Sequence, residues 1–123
     1  MSSFKLTQSF YFEAAHTLKY RAVNCYDSLQ SNKIHGHTYH ASVSIQGKID
    51  EDSIVKDFDN IKQHIEFVRK MLDHEFLDEI PDLGRPTLEN LCLFISKNIK
   101  LDNLCEVTVE RKASGDRCTY TIC

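Results

Sequence analysis

His35-Gly36-His37-Thr38-Tyr39-His40-Ala41-Ser42-Val43-Ser44-Ile45-Gln46-Gly47 is the stretch on which the fold turns. From Thr38 to Gln46 apolar and polar residues alternate. Tyr39, Ala41, Val43 and Ile45 fall on one face, and Thr38, His40, Ser42, Ser44 and Gln46 on the other. A period of two marks a half-buried strand. With extended backbone beginning at or before His35, His35 and His37 point the same way and His40 points to the opposite face. Two imidazoles on one side make half of a metal site.

Upstream, Phe4 to His16 alternates in the same manner, with Phe4, Leu6, Phe10, Phe12, Ala14 and His16 at even positions and mostly polar residues at odd ones. This reads as another strand, with His16 closing its apolar face. Three histidines from two neighbouring strands leave the fourth position of a tetrahedral zinc open, as catalytic zinc requires; structural zinc usually takes four protein ligands, mostly thiolates. Each histidine alone reads more simply as an ordinary half-exposed residue. His-Gly-His beside an in-phase His16 favours the metal. A cupin site also begins with His-x-His, but it wants a Glu four residues after the second His, where this chain has Ala41.

Further along, Asp57-Phe58-Asp59 leads into a helix whose apolar stripe is Ile61, Ile65, Val68 and Leu72, with Asp57 or Asp59 as N-cap. The stripe ends just before Asp73-His74. An adjacent carboxylate and imidazole form a catalytic dyad if both reach a pocket, and a chance pairing otherwise. Pro81 to Pro86 is turn-rich, and Pro86-Thr87-Leu88-Glu89-Asn90 opens a second helix with Leu88, Leu91, Cys92, Ile95 and Ile99 buried. Thr87 as N-cap and Glu89 in the first turn are explained by capping alone. Strands Leu104 to Lys112 and Arg117 to Cys123, joined through Ala113-Ser114-Gly115-Asp116, complete the order β-β-α-α-β-β. The expected fold is α+β: a four-stranded antiparallel sheet with two helices on one face and the other face uncovered, so that subunits associate edge to edge. Glu110, opposite in parity to Val107 and Val109, by itself indicates only a solvated strand position.

One domain spanning 1–123 is expected, since no linker, repeat or low-complexity run divides the chain. Hydrophobic content of 41%, 27% charged residues and a formal charge of −3 fit a soluble globular protein and give no reason to expect nucleic acid. Neither a signal peptide nor a membrane span is legible, so a cytoplasmic location is expected. Five cysteines without Cys-x-x-Cys indicate neither a disulfide framework nor a thiolate zinc site. Cys92 belongs to a helix's apolar face, and Cys105, Cys118 and Cys123 to the C-terminal hairpin. Cys25 differs, because it lies in the polar stretch Lys19 to Lys33 between the histidine-bearing strands, where a thiol folded over a metal becomes a base.

Phe12-Glu13-Ala14-Ala15-His16, His35-Gly36-His37-Thr38-Tyr39, Asp57-Phe58, Leu72-Asp73-His74, Pro86-Thr87-Leu88-Glu89-Asn90 and the late strand Glu110, in this order, resemble the 6-pyruvoyl tetrahydropterin synthase and 6-carboxytetrahydropterin synthase family. The resemblance spans nearly the whole chain. It implies a tunnelling fold whose subunits form trimers around a twelve-stranded barrel, stacked into homohexamers. It also implies zinc on His16, His35 and His37, and 7,8-dihydroneopterin triphosphate as substrate. By the same resemblance Asp73 and His74 are the proton-relay dyad, Cys25 a partner base, and Glu110 the carboxylate gripping the pterin, with Thr87 and Glu89 helping. The implied reaction is that of a 6-carboxytetrahydropterin synthase in queuosine (deazapurine) synthesis, losing triphosphate and acetaldehyde. A 6-pyruvoyl synthase or a dihydroneopterin side-chain aldolase is the alternative, and a non-catalytic pterin- or zinc-binding homologue the alternative of another class. Two positions depart from the family pattern: nine residues separate Cys25 from His35, where the family has only a few, and Arg111 follows Glu110, where the family commonly has Thr.

Overall fold

The computed structural model describes residues 2–17 and 33–122. Strand β1, Phe4–His16, pairs antiparallel with β2, His35–Gly47, along the whole of both, from Phe4 against Gly47 to His16 against His35. Helix α1, Phe58–Leu72, and helix α2, Leu88–Asn98, follow, and then β3, Leu104–Arg111, and β4, Asp116–Thr121. The four strands form one antiparallel sheet in the order β1-β2-β3-β4.

The period-two pattern becomes the two faces of this sheet. Phe12, Tyr39, Val43, Ile45, Val107 and Val109 are buried beneath the helices, and the rings of Phe12 and Tyr39 stack across β1 and β2 with centroids 5.0 Å apart. α1 contributes Ile61, Ile65, Val68 and Leu72 to the core, the four residues its periodicity predicts, and packs on β1. α2 contributes Leu91, Cys92, Phe94 and Ile95 and packs on β3 and β4. Each fully buried side chain of this size contributes about 1.5–3 kcal/mol of transfer free energy, which is why the apolar parity of the strands decides where the helices lie.

Both predicted caps form. Asp57 accepts from Asp59 N, and the Thr87 hydroxyl accepts from Asn90 N at 3.1 Å. The β3–β4 turn comes slightly earlier than the sequence suggests, over residues 112–115, because Ser114 N and Gly115 N both donate to Arg111 O. Gly115 takes φ +78° there, a backbone conformation costly for any other residue. A three-residue 3-10 helix, Leu77–Glu79, also forms; it is too short to have a periodicity of its own. Cys92, Cys105 and Cys118 are thiols, with Cys92 and Cys105 buried. Among the described residues no helix is long and apolar enough to cross a membrane.

The outward face carries Tyr11, half exposed, and rows of short polar residues that satisfy one another. Thr7 bonds Ser44 at 2.7 Å, and Thr108 bonds Thr119 at 3.0 Å. At its far end the free edge of β1 is closed by the chain after α1. His74 N donates to Glu13 O, Ala15 N donates to Glu75 O, and Ala15 bridges Phe76 in parallel. This strap brings the Asp73-His74 pair to the end of the sheet that carries the histidines.

Candidate metal centre and adjoining cavity

Strand pairing sets His16 directly opposite His35 and Ala14 opposite His37. Because parity puts all three imidazoles on the helix side, they converge: one ring nitrogen from each lies within 4.8 Å of the others, and the ring centroids are 4.5–4.9 Å apart. His16 Nε2 and His37 Nε2 are 2.9 Å apart. Two of the rings are oriented by the main chain. His16 Nδ1 lies 3.1 Å from Pro86 O and His35 Nδ1 lies 2.8 Å from Lys33 O. A carbonyl only accepts, so each Nδ1 carries the proton and each Nε2 is left as a lone-pair donor, the tautomer a metal ligand needs.

Electrostatics act in the same direction. Burial lowers the pKa of His16 below the ordinary 6.5, and the neighbouring His35 and Arg111 push it further down against the pull of the Pro86 carbonyl. Burial, followed by the charges of His16 and Arg111, lowers His37 to about 4. Both rings are therefore neutral near pH 7, and neutral imidazoles suit a borderline-soft divalent ion such as zinc. His16 is held at its other side as well. Thr17, the next residue, donates to Asp78 from its main-chain N at 2.8 Å and from its hydroxyl.

A cavity of about 630 Å³ opens beside the cluster, lined by Glu13, Gly36, His37, Thr38, His74 and Phe76 among others. His74 thus shares a cavity with His37. Its side chain is 77% exposed, and its imidazole stands between two carboxylates, Asp73 at 3.8 Å and Glu13 at 4.0 Å. Asp73 is engaged elsewhere, accepting from Glu13 N at 2.9 Å and pairing with Arg69 at 3.3 Å, so its contact with His74 is longer than a hydrogen bond. His74 itself takes φ +62°, a left-handed conformation rare outside glycine and asparagine, as the chain leaves α1 and turns back along β1.

The other site residues fall into two groups. Thr87 and Glu89 begin α2 one turn from Pro86, whose carbonyl holds His16; Thr87 is half-buried and Glu89 exposed. Glu110 is not with the cluster. It lies half-buried on the outward face, between His40 and Arg117 in the sheet register. His40 shares that outward face and stands apart from the three-histidine group, as its parity predicts. Cys25 lies outside the described residues. Sequence reasoning missed Asp78 altogether and gave Glu13, Tyr39 and Arg111 no place beside the imidazoles. Glu13 sits at a polar strand position that reads as solvated surface, and its proximity to His74 arises from a contact 60 residues away in the chain.

The chain has the fold of solved 6-pyruvoyl tetrahydropterin synthases. A solved 6-pyruvoyl tetrahydropterin synthase from Caenorhabditis elegans superposes with a TM-score of 0.81 over 100% of this chain and 98% of that one, at 24% identity. The Plasmodium vivax 6-pyruvoyl tetrahydropterin synthase gives 0.72 over 99% and 100% at 21% identity. The particular family follows from sequence as well: the family model for 6-pyruvoyl tetrahydropterin synthase matches residues 5–122, and the chain belongs to that family. It is 34% identical over 81% of its length to a dihydroneopterin monophosphate aldolase of Pyrococcus furiosus, covering 78% of that protein. It is 33% identical over 72% of its length to a 6-carboxy-5,6,7,8-tetrahydropterin synthase of Synechocystis, covering 68% of that protein.

Proposed function

We infer that the protein is a zinc-dependent lyase that converts 7,8-dihydroneopterin triphosphate and one water to 6-carboxy-5,6,7,8-tetrahydropterin, triphosphate and acetaldehyde, in deazapurine (queuosine) synthesis. The observation that carries the reading is the cluster of His16, His35 and His37, two of its rings turned by backbone carbonyls into Nε2 donors, beside a cavity that also contains His74. These three residues would hold the zinc. When bound, the ion would supply Lewis acidity, making protons on and next to the side-chain hydroxyls easier to remove.

The remaining chemistry belongs to the chain. His74, set between Asp73 and Glu13, moves a proton at the side-chain carbon. Cys25 is the second base. Glu110 grips the amino and N–H edge of the pterin through paired hydrogen bonds, with Thr87 and Glu89 near the bound ring. Since Glu110 and the imidazoles occupy opposite faces of one sheet, a substrate touching both is held between subunits. That supports a homo-oligomer, a hexamer built from two trimers.

Incubation with 7,8-dihydroneopterin triphosphate, followed by mass spectrometry, tests the reading. The expected products are 6-carboxytetrahydropterin and acetaldehyde; 6-pyruvoyl tetrahydropterin would instead identify the other synthase. The aldolase of Pyrococcus furiosus favours a second reading, cleavage of the dihydroneopterin side chain, which would yield a dihydropterin bearing a one-carbon side chain. Zinc and pterin binding without turnover of either phosphorylated compound would assign the chain to the non-catalytic class.

A further inference from the structure

The inward face of β3 runs Val107, Val109 and then Arg111, a cation at the end of a buried apolar row. Continuing the register by one residue from the pair His40 and Glu110 sets Arg111 beside Tyr39, two residues from His37; on its other side it pairs with Asp116. The side chain is 21% exposed, and Nη2 donates to Asp116 Oδ2 at 2.7 Å. Asp116 is itself positioned by the Ser114 hydroxyl at 2.9 Å. One of the five guanidinium N–H groups is thereby used. Nε, although buried, has no partner, and the hydroxyl of fully buried Tyr39 has none either.

A hairpin ion pair accounts for Nη2 and leaves Nε unexplained. A buried donor without a partner is destabilising, a cost that persists most readily where a ligand relieves it. The guanidinium stands on the same inward face as the three imidazoles, beside Tyr39, whose ring centroid lies 5.5 Å from that of His37. An anion beside the three imidazoles is the ligand that fits it, and a planar fork of N–H donors matches the oxygens of a phosphate.

We propose that Arg111, fixed by Asp116, is a specificity-determining residue that binds the phosphate end of the substrate side chain while the hydroxyls of that side chain lie at the imidazole cluster. The proposal rests on the pterin reading above and deepens it. It predicts that the site selects a phosphorylated dihydropterin over its dephosphorylated form. It also gives the position after Glu110 a role that a threonine there does not have.

The test compares the zinc-loaded wild type with Arg111→Gln and Arg111→Lys. Three readouts are needed: KM for 7,8-dihydroneopterin triphosphate, Kd for unphosphorylated 7,8-dihydroneopterin, and Kd for inorganic triphosphate. Arg111→Gln is expected to raise the first and third by roughly tenfold to a hundredfold, the loss of a charge-assisted hydrogen bond. Zinc content and the second constant should stay at wild-type values, and Arg111→Lys should fall between. Equal weakening toward the phosphorylated and unphosphorylated pterin would mean a structural role only and overturn the proposal, as would unchanged binding of inorganic triphosphate by Arg111→Gln. If the wild type binds inorganic triphosphate through Arg111 yet neither pterin, the pterin reading fails and the anion site stands. If the wild type does not bind inorganic triphosphate, the anion site itself is refuted.

Discussion

At the scale of single residues, the three imidazoles and His74 can be separated experimentally because they stand in different environments. His16→Ala, His35→Ala and His37→Ala are each expected to abolish stoichiometric zinc binding, whereas His40→Ala, on the outward face, keeps it. Metal analysis of the purified variants checks this, and full zinc in His35→Ala would remove the assignment. His37 adds a pH signature to the metal-free protein. Its folded pKa of about 4 lies below the ordinary 6.5, so folding favours the neutral ring; that stabilisation is complete above pH 6.5 and is lost as pH falls through about 4. Urea midpoints of chelator-treated protein should therefore fall less between pH 7 and 4 in His37→Gln than in wild type. His74 takes a left-handed conformation, which costs a non-glycine residue about 1–2 kcal/mol. His74→Gly is expected to fold at least as stably as wild type while turnover drops by roughly 10²–10⁴, the usual worth of a general base. Undiminished turnover would free His74 from any catalytic part. Cys25→Ala is expected to retain zinc and pterin but lose at least about a hundredfold in rate; near wild-type turnover would leave the base to His74.

At the scale of elements, the strap after α1 and the start of α2 clamp the end of β1 from two sides. His74 and Glu75 bond along its edge, Asp78 holds Thr17, and Pro86 holds His16. Pro86 is set by the first turn of α2, which Thr87 caps. Thr87→Ala is therefore expected to cost about 1 kcal/mol in stability and to weaken zinc binding with it, while Thr87→Ser preserves both. Urea titration and zinc competition read the two effects, and a variant that loses stability with unchanged zinc affinity would show that the cap does not support the metal centre.

At the scale of the whole molecule, one chain presents its imidazole cluster and Glu110 on opposite sides of a single sheet. A hexamer, or at least a trimer, is expected in sedimentation. Mixing His35→Ala with Glu110→Gln, each inactive alone, should restore activity through assemblies that combine one intact half-site from each. An active monomer would contradict the shared site.

How far the site was legible follows from what each feature depends on. The alternation in Phe4 to His16 and His35 to Gly47, the stripe of α1 and the caps at Asp57 and Thr87 are properties of a few neighbouring residues, so the sequence by itself determined the elements, their order, the helix-covered face and the common parity of His16, His35 and His37. Parity does not set register. That His16 meets His35, that Glu13 faces His74, and that Arg111 ends beside Tyr39 were decided only by the tertiary structure, because each contact joins segments far apart in the chain and depends on how the helices pack and where the strap closes the β1 edge. Glu110 makes the same distinction: its parity was readable, but its separation from the imidazoles by the full thickness of the sheet exists only once four strands have paired.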